Sequence, residues 1–154
     1  MGRWIGIDYG TRRIGLAVGD YRGVLASPAA TLSGSGSPAR DAEAVLRWAA
    51  EQEACGFVAG LPLNMDGSDS NQTRITRRFA EELARRTPLP VELWDERLSS
   101  FQADLHLAEA EVRQSRKKGL RDALAAQVIL QSFLDRPQAD AATTPNPPAD
   151  PPKG

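Results

Sequence analysis

The stretch RWIGIDYGTRRIGLAV, residues 3–18, decides the fold. Its first half is a short apolar run that ends at Asp8, and a second apolar run follows at residues 14–18. Few residues separate the two runs, and Gly10 can supply the turn between them. The stretch therefore predicts an antiparallel hairpin formed by the first two strands of a sheet.

The rest of the chain predicts further strands and amphipathic helices in alternation. Strands are expected at residues 24–32, 56–61 and 91–94. Helices are expected from Pro38 after the N-cap Ser37, over residues 72–86, and from a capping box of Ser99 and Gln102. A last helix is expected after the basic segment 113–121, ending at about Asp135. This order predicts an α/β protein with a mixed five-stranded sheet, its first three strands antiparallel, flanked by helices.

Length and composition predict one globular domain followed by a tail. The chain has 154 residues, of which 41% are hydrophobic and 25% charged. Residues 136–154 contain six of the eleven prolines and no valine, isoleucine, leucine or aromatic residue. Such a segment cannot offset its own ordering entropy by burial. We therefore expect one folded domain at residues 1–135 and a disordered proline-rich tail at residues 136–154.

Composition also excludes several functional classes. Cys55 and His106 are the single cysteine and histidine, so a zinc cluster and an intramolecular disulfide are ruled out. A metal would have to bind oxygen ligands. The formal net charge of −1 argues against a simple polycation. No signal sequence and no apolar run of membrane length is present, so we expect a cytoplasmic protein without membrane contact.

Acidic residues stand at the ends of three apolar elements. Asp8 closes the first strand, Asp95 and Glu96 follow the fifth, and Asp122 begins the apolar face of the last helix. Each acid alone has an ordinary structural explanation, as a turn acceptor or as a partner of the helix dipole. Together they describe a hard-cation site at the carboxyl edge of parallel strands. Because side chains alternate along a strand, only one of Asp95 and Glu96 should face that site, and the pattern leaves the choice open.

This acidic set predicts phosphodiester chemistry. Mg²⁺ or Mn²⁺ is the natural occupant of such oxygen ligands, and two ions would activate a water and stabilise the leaving oxygen. Neither His106 nor Cys55 has a partner pattern for nucleophilic catalysis, so both are expected to be structural.

Basic residues are placed to bring phosphate to the acids. Segment 113–121 contains five cations and no acid, and it ends directly before Asp122. Smaller clusters lie at Arg12 and Arg13 and at Arg74, Arg77 and Arg78, although each alone is typical of a solvated surface. Few aromatic residues accompany them, which favours contact with a nucleic-acid backbone over base stacking. The polar loop at residues 62–71 is either a ligand-contacting loop or an ordinary connection.

Four motifs follow one another along residues 3–134. They are Gly6-Ile7-Asp8-Tyr9-Gly10-Thr11 continuing to Arg13-Ile14-Gly15-Leu16-Ala17, Gly60-Leu61-Pro62 with Gly67, Asp95-Glu96-Arg97-Leu98-Ser99, and Lys117 to Asp122 with Ala125-Ala126 and Ile129-Leu130. This set resembles the Holliday-junction resolvase-like proteins of the YqgF/RuvX type. The resemblance implies that residues 1–135 form a nuclease domain with a ribonuclease H-like fold.

The resemblance also implies roles for individual residues. It makes Asp8, Glu96 and Asp122 the metal-binding catalytic acids, and so favours Glu96 over Asp95. It implies substrate contacts from the first hairpin and from the loop that begins at Gly60. The residues predicted to bind substrate are Thr11, Arg13, Asn64, Arg97, Lys117 and Lys118.

Two substrate classes follow from the resemblance. They are branched DNA such as four-way junctions and the 5′ end of precursor 16S ribosomal RNA. The leading hypothesis is therefore a metal-dependent nuclease, and a non-catalytic junction- or RNA-binding protein is the chief alternative. A nucleotide-binding fragment is a third, since residues 8–11 fit the phosphate turn of a related ATPase superfamily whose members need two such domains. Symmetrical junction cleavage would imply a homodimer.

Overall fold

The computed structural model describes residues 2–98 and 121–137. Five strands form one sheet, and they are β1 (Arg3–Tyr9), β2 (Arg13–Gly19), β3 (Ala26–Ser33), β4 (Ala54–Leu61) and β5 (Val91–Asp95). The helices described are α1 (Pro38–Ala49), α2 (Asn71–Arg85) and α3 (Arg121–Leu134), with a short 3-10 helix at Glu96–Leu98. The helix predicted from Ser99 lies outside the described residues, as do His106, Lys117, Lys118 and residues 138–154.

The sheet is mixed, as the sequence predicts. Its strand order is β3-β2-β1-β4-β5. β1 and β2 pair antiparallel, as do β2 and β3, whereas β1 with β4 and β4 with β5 are parallel pairs. β1 is therefore the central strand, and its carboxyl end lies beside the carboxyl end of β4.

Side-chain alternation divides the core between the two faces of the sheet. Ile5, Ile7 and Tyr9 of β1 pack with α1 and α2. The intervening residues face α3, since a Cβ built on Gly6 would lie 2.6 Å from the Cβ of Leu130. The predicted apolar stripe of the last helix is buried against this second face at Ala125, Ala126, Ile129, Leu130 and Phe133. Asp8 therefore projects from the α3 face.

Serines cap the starts of α1 and α2, the first of them at the predicted position. The Ser37 side chain accepts a hydrogen bond from the Arg40 amide at 3.3 Å, and Pro38 occupies the first turn of α1. Ser70 caps α2 through a reciprocal pair of bonds with Thr73. Serine at these positions satisfies amides that have no partner inside the helix.

The third strand begins two residues later than predicted. The Asp20 carboxylate accepts hydrogen bonds from the amides of Val24 and Leu25, which holds both residues in the turn before Ala26. The fourth strand begins earlier, at Ala54, because this residue pairs with Arg3. In the part of the chain that the structure describes, no helix is long and apolar enough to cross a membrane.

Candidate active site

The carboxylate of Asp8 stands between two glycines on the neighbouring strands. Gly15 of β2 pairs directly with Asp8. On the other side Ile7 pairs with Ala59 of β4, so Gly60 is the residue beside Asp8. Neither neighbour has a side chain, and the sheet is therefore open on both sides of the carboxylate.

Gly15 lets the first turn of α3 rest on the sheet. A Cβ at this position would lie 1.9 Å from the carbonyl oxygen of Asp122 and 3.0 Å from the amide nitrogen of Ala123. No side chain can be accommodated at that distance from backbone atoms. The absence of a Cβ thus places Asp122 above β2, next to Asp8.

Gly60 provides the equivalent space on the other side of Asp8. A Cβ there would lie 2.7 Å from Oε2 of Glu96 and 2.5 Å from Cδ1 of Ile129. The Glu96 carboxylate therefore lies over β4, on the α3 face of the sheet. Asp8 has Asp122 over one neighbouring strand and Glu96 over the other.

The electrostatics show that the three acids share one site. Burial, followed by the charge of Asp122, raises the pKa of Asp8 to about 6. Burial, followed by the charges of Asp8 and Asp95, raises the pKa of Glu96 to about 7. Like charges disfavour ionisation of their neighbours only at short range. The site is thus a partly buried concentration of negative charge.

Arg13 supplies a positive charge to this site. Its Nε donates a hydrogen bond to Oδ2 of Asp122 at 2.8 Å. The Arg13 side chain is 65% exposed and that of Asp122 is 25% exposed, so the guanidinium remains open to solvent while it holds the acid. Arg13, predicted to contact substrate, therefore lies at the candidate active site.

Asp95 and Glu96 have different environments, which addresses the choice that the sequence pattern left open. The Asp95 carboxylate accepts hydrogen bonds from Nε and Nη2 of Arg97 at 3.1 Å and 2.8 Å. That ion pair lowers the pKa of Asp95. Glu96, in contrast, is turned toward Asp8. Asp95 therefore anchors an arginine, and Glu96 joins the acidic site.

Arg97 connects the acidic site to the loop at residues 62–70. Its Nη1 donates to the carbonyl oxygen of Met65 at 3.2 Å. The side chain of Asn64, another predicted substrate contact, donates to Oγ of Ser68 at 3.0 Å. Asn64 thus closes the loop upon itself in this structure, and Arg97 fixes the loop beside β5.

Thr11 lies at the same edge but on the other side of the sheet. It is exposed in the turn between β1 and β2, and it lines a cavity of about 360 Å³ together with Ser37 of the α1 cap and Arg78 of α2. The structure therefore brings Asp8, Glu96, Asp122 and Arg13 together and separates Thr11 from them.

The fit of this acidic site to a metal rests on its donors and its charge. Residues 2–98 and 121–137, in the arrangement described, contain no group of three acidic, histidine or cysteine side chains that could hold a metal ion. Arg13 engages one oxygen of Asp122. Clustered carboxylate oxygens are nevertheless the ligand type that a hard divalent cation prefers. Asp8, Glu96 and Asp122 therefore fit such an ion by chemistry and by placement on one face.

Two glycines that shape this site were not predicted to do so. The sequence patterns include Gly15 and Gly60 only as parts of motifs. Their positions carry a signal, because each falls on the sheet face of Asp8 by simple alternation. Glycine on a buried face marks a close approach of another element.

A buried network behind Asp8 was not predicted either. The hydroxyl of Tyr9 donates to Oδ2 of Asp41 at 2.5 Å, and Oδ1 of Asp41 accepts from the amide of Ser35 at 2.8 Å. The Tyr9 ring stacks on Phe79 with centroids 4.1 Å apart. The signal was an acid within the apolar stripe of α1. This network fixes the end of β1 immediately after Asp8.

The fold and the site together define a class of protein. A mixed five-stranded sheet with acids gathered at the end of its central strand is the ribonuclease H-like fold of nucleases. The structure of RuvC from T. thermophilus in complex with a Holliday junction substrate matches with a TM-score of 0.51 at 16% identity, over 86% of this chain and 94% of RuvC. The large terminase nuclease of thermophilic phage G20c matches with a TM-score of 0.52 at 13% identity, over 84% and 81% of the two chains. These similarities concern the fold.

Sequence comparison identifies the family. The family model described as RuvX, Holliday junction resolvase, matches residues 2–136, and the chain belongs to this family. A relative from Rhodopseudomonas palustris (strain BisB5), named "Putative pre-16S rRNA nuclease", is 46% identical over 135 residues, which cover 88% of this chain and 84% of the relative. A relative of the same name from Myxococcus xanthus (strain DK1622) is 44% identical over 133 residues, covering 86% and 87%.

Proposed function

We propose that this protein is a divalent-metal-dependent nuclease that hydrolyses phosphodiester bonds in a structured nucleic acid. The substrate is branched DNA, as the family description suggests, or the 5′ end of precursor 16S ribosomal RNA, as the names of the relatives suggest. The first would serve DNA recombination and repair, and the second ribosome biogenesis. Both reactions use the same chemistry at the phosphate, and both fit a cytoplasmic enzyme.

The observation that supports the proposal most strongly is the placement of Asp8 between Gly15 and Gly60. Those two glycines admit Asp122 on one side and Glu96 on the other. An arrangement that only stabilised the fold would not gather acids that repel one another, because burial beside a like charge disfavours the ionised form of a carboxyl group. A site for a cation at a phosphate explains why they are together.

Asp8, Glu96 and Asp122 would hold Mg²⁺ or Mn²⁺, with two ions in the complete site. Bound there, such ions would supply an activated water and neutralise charge on the leaving oxygen. The raised pKa values of Asp8 and Glu96 reflect the metal-free protein. A nearby divalent charge would favour their ionised forms, so metal binding and proton release are coupled.

The basic and polar residues would position the phosphodiester. Arg13 lies closest to the acids and would exchange its contact with Asp122 for one with a phosphate oxygen, as a guanidinium can bind either group. Contacts to the flanking backbone would come from Thr11, Asn64, Arg97, Lys117 and Lys118. A homodimer would place two such sites on a symmetrical junction, whereas trimming of RNA needs only one.

A competitive cleavage assay tests the proposal. Wild-type protein is incubated with a labelled four-way DNA junction and a 5′-extended precursor 16S RNA, in Mg²⁺ and in Mn²⁺. Asp8→Asn should abolish cleavage of whichever substrate is cut while leaving the fold intact. The matched control is Asp135→Asn, which makes the same chemical change at an exposed position at the far end of α3.

Each result of this assay has a defined meaning. Junction cleavage that the Asp8 variant loses identifies a DNA resolvase, and loss of RNA trimming identifies a ribosome-maturation nuclease. Equal cleavage by Asp8→Asn and wild type would refute the role of the acidic site. Binding of either substrate without cleavage by the wild type would favour the non-catalytic binding protein.

A further inference from the structure

We propose that a basic groove along α2 binds a second segment of the nucleic-acid backbone, on the side of the sheet opposite the acidic site. The proposal rests on the proposed function, because it assigns the groove to the same substrate. It concerns Arg74 and Arg78 of α2 and the cavity that continues from them to Thr11.

The groove begins at the same edge of the sheet as the acids. α2 follows the loop at the carboxyl end of β4, and Nε2 of Gln72 donates to the carbonyl oxygen of Tyr9 at 3.1 Å. Tyr9 is the residue after Asp8. The amino-terminal half of α2 is therefore attached to the end of β1, across the sheet from Asp122.

Two cavities form a continuous path away from this edge. The first is the cavity of about 360 Å³ between Thr11, Ser37 and Arg78. The second, of about 490 Å³, runs along the surface of α2, and it is lined by Arg74, Arg77, Arg78, Glu81, Glu82 and Arg85. Arg78 and Glu82 line both cavities. The path thus leads from the turn after β1 along the helix.

Two of the arginines are available for an external anion. Arg77 pairs with Asp69 at 2.9 Å, and Glu82 pairs with Arg85 at 2.6 Å. Arg74 and Arg78 are exposed, and neither forms an ion pair within 4.0 Å with any residue in the described ranges 2–98 and 121–137. Asp69, whose pKa is lowered first by its hydrogen bond with Arg77 and also by the charge of Arg74, is already paired with Arg77.

The positions of Arg74 and Arg78 do not stabilise the helix. They are one turn apart, so their charges repel each other. Arg74 also lies at the end of the first turn of α2, which contains no acid and where the helix dipole disfavours cations. Phosphate oxygens between them would remove this repulsion.

The lining of the second cavity, along α2, favours a nucleic-acid backbone over a protein partner. All six residues of the second cavity are charged, and they include no aromatic or aliphatic anchor of the kind that dominates protein interfaces. Guanidinium groups match phosphate geometry with two parallel hydrogen bonds. Arginines that follow a helix surface are suited to successive phosphates of one strand.

The dimensions agree with a branched substrate. Thr11 follows Asp8 by about three residue steps, so their Cα atoms are at most about 11 Å apart. This corresponds to a rise of about three base pairs of 3.4 Å along the axis of a duplex. α2, with 15 residues, extends the path by about 22 Å. One arm of a junction could therefore cross the edge while the phosphate to be cut lies at the acids.

The test compares Arg74→Gln/Arg78→Gln with Arg47→Gln. Arg47 is likewise an exposed arginine, in the last turn of α1, which leads to the opposite edge of the sheet. Binding is measured by fluorescence anisotropy over a series of salt concentrations. All variants are made in the Asp8→Asn background, where no cleavage is expected. The probes are a four-way DNA junction, a 5′-extended precursor 16S RNA and a short duplex long enough to reach the acidic site only.

The double variant should bind the longer probes, the junction and the precursor RNA, roughly tenfold more weakly. The slope of the logarithm of the binding constant against the logarithm of salt concentration should decrease in magnitude by about 2, since each phosphate that is no longer neutralised contributes near 0.9. The short duplex should bind as before, and Arg47→Gln should match its parent. With wild-type Asp8, the double variant should raise KM for the longer substrate and leave kcat unchanged. An unchanged salt slope, or an equal loss of affinity in Arg47→Gln, would refute the proposal that the groove binds the nucleic-acid backbone. Failure of the wild type to cleave any probe would refute the proposed nuclease activity. The binding results would still test the groove, because they do not depend on cleavage.

Discussion

The two faces of the sheet differ in what their side chains contribute. On the α1 and α2 face, β1 presents Ile5, Ile7 and Tyr9 to a core that includes Phe57 and Phe79. On the α3 face, the same strand presents Gly6 and Asp8, and the neighbouring strands present Gly15 and Gly60. Both faces bury apolar groups, which on the α3 face include Leu130 and Phe133. Beside Asp8, however, the α3 face gives up side-chain volume, so that a helix can bring acids onto the strands. The candidate chemistry is thus confined to one face by the alternation of a single strand.

Leu83→Ala should produce the largest loss of stability. Leu83 is fully buried in the α1 and α2 core. Removing a buried leucine side chain costs about 2 to 5 kcal/mol, and we expect about 3 kcal/mol here. Cleavage per folded molecule should be unchanged, because the α3 face is not altered. Urea denaturation with a parallel activity assay measures both. A loss of kcat beyond the unfolded fraction would show that the two faces are not independent.

Gly15→Ala should damage both the fold and the site. The new methyl group would overlap the Asp122 carbonyl, and α3 would have to move away from β2 at a cost of about 2 to 3 kcal/mol. Cleavage should fall by roughly 100-fold or more because Asp122 is displaced from Asp8.

Gly19→Ala is the matched control for this substitution. Gly19 lies on the same strand and the same face, but a Cβ there makes only an ordinary contact of 3.4 Å with Leu134. Circular dichroism melts and cleavage rates of the two variants separate a specific clash from a general effect of alanine. Equal rates for Gly15→Ala and wild type would contradict the placement of Asp122.

The metal-free protein should lose stability as the pH rises from about 4 to about 7. Asp8 and Glu96 have folded pKa values above their ordinary ones, so the native state binds more protons than the unfolded state in this window. Asp8→Asn should therefore stabilise the protein at pH 7.5 by about 2 kcal/mol. Thermal melts in EDTA at pH 5 and pH 7.5 measure the effect, with Asp135→Asn as the control. Destabilisation by Asp8→Asn at pH 7.5 would mean that the Asp8 carboxylate has a stabilising partner.

Arg13→Gln should have the smallest effect. It should strengthen the binding of Mn²⁺ and weaken the binding of nucleic acid. Removing the guanidinium frees Asp122, so Mn²⁺ should bind about two- to fivefold more tightly, in line with an exposed ion pair of up to about 1 kcal/mol. Nucleic acid should bind more weakly. Calorimetry with Mn²⁺ and anisotropy with the junction provide the two readouts. Weaker binding of both ligands would indicate that Arg13 orients Asp122 for the metal.

Local patterns predict most of the fold. The hairpin of β1 and β2, the parallel strands β4 and β5, the cap at Ser37 and the buried stripe of α3 all follow from the period of apolar residues and from capping chemistry. In the residues that the structure describes, the differences lie at the ends of elements. β3 begins at Ala26 because a side chain from the turn competes for backbone amides, and α2, Asn71–Arg85, lies one residue earlier than predicted.

The candidate site is only partly predictable. The three acids can be proposed from their places at element ends. The choice of Glu96 over Asp95 cannot be predicted from the strand pattern, because the strand ends at Asp95 and side-chain alternation no longer applies beyond it. The contact of Arg13 with Asp122 joins residues 109 positions apart, and no local pattern encodes it. Thr11 is close to Asp8 in sequence but lies on the other side of the sheet, since a turn reverses direction within a few residues.

The space that Gly15 leaves for α3 also determines when the protein could become active. Asp8 and Glu96 are synthesised early, with strands that can pair as soon as they leave the ribosome. Asp122 follows later, on a helix that must find β2 at a position open only because Gly15 has no side chain. Until that helix docks, the nascent chain holds an incomplete set of acids. The acidic site is thus complete only in a chain whose α3 has docked on the sheet.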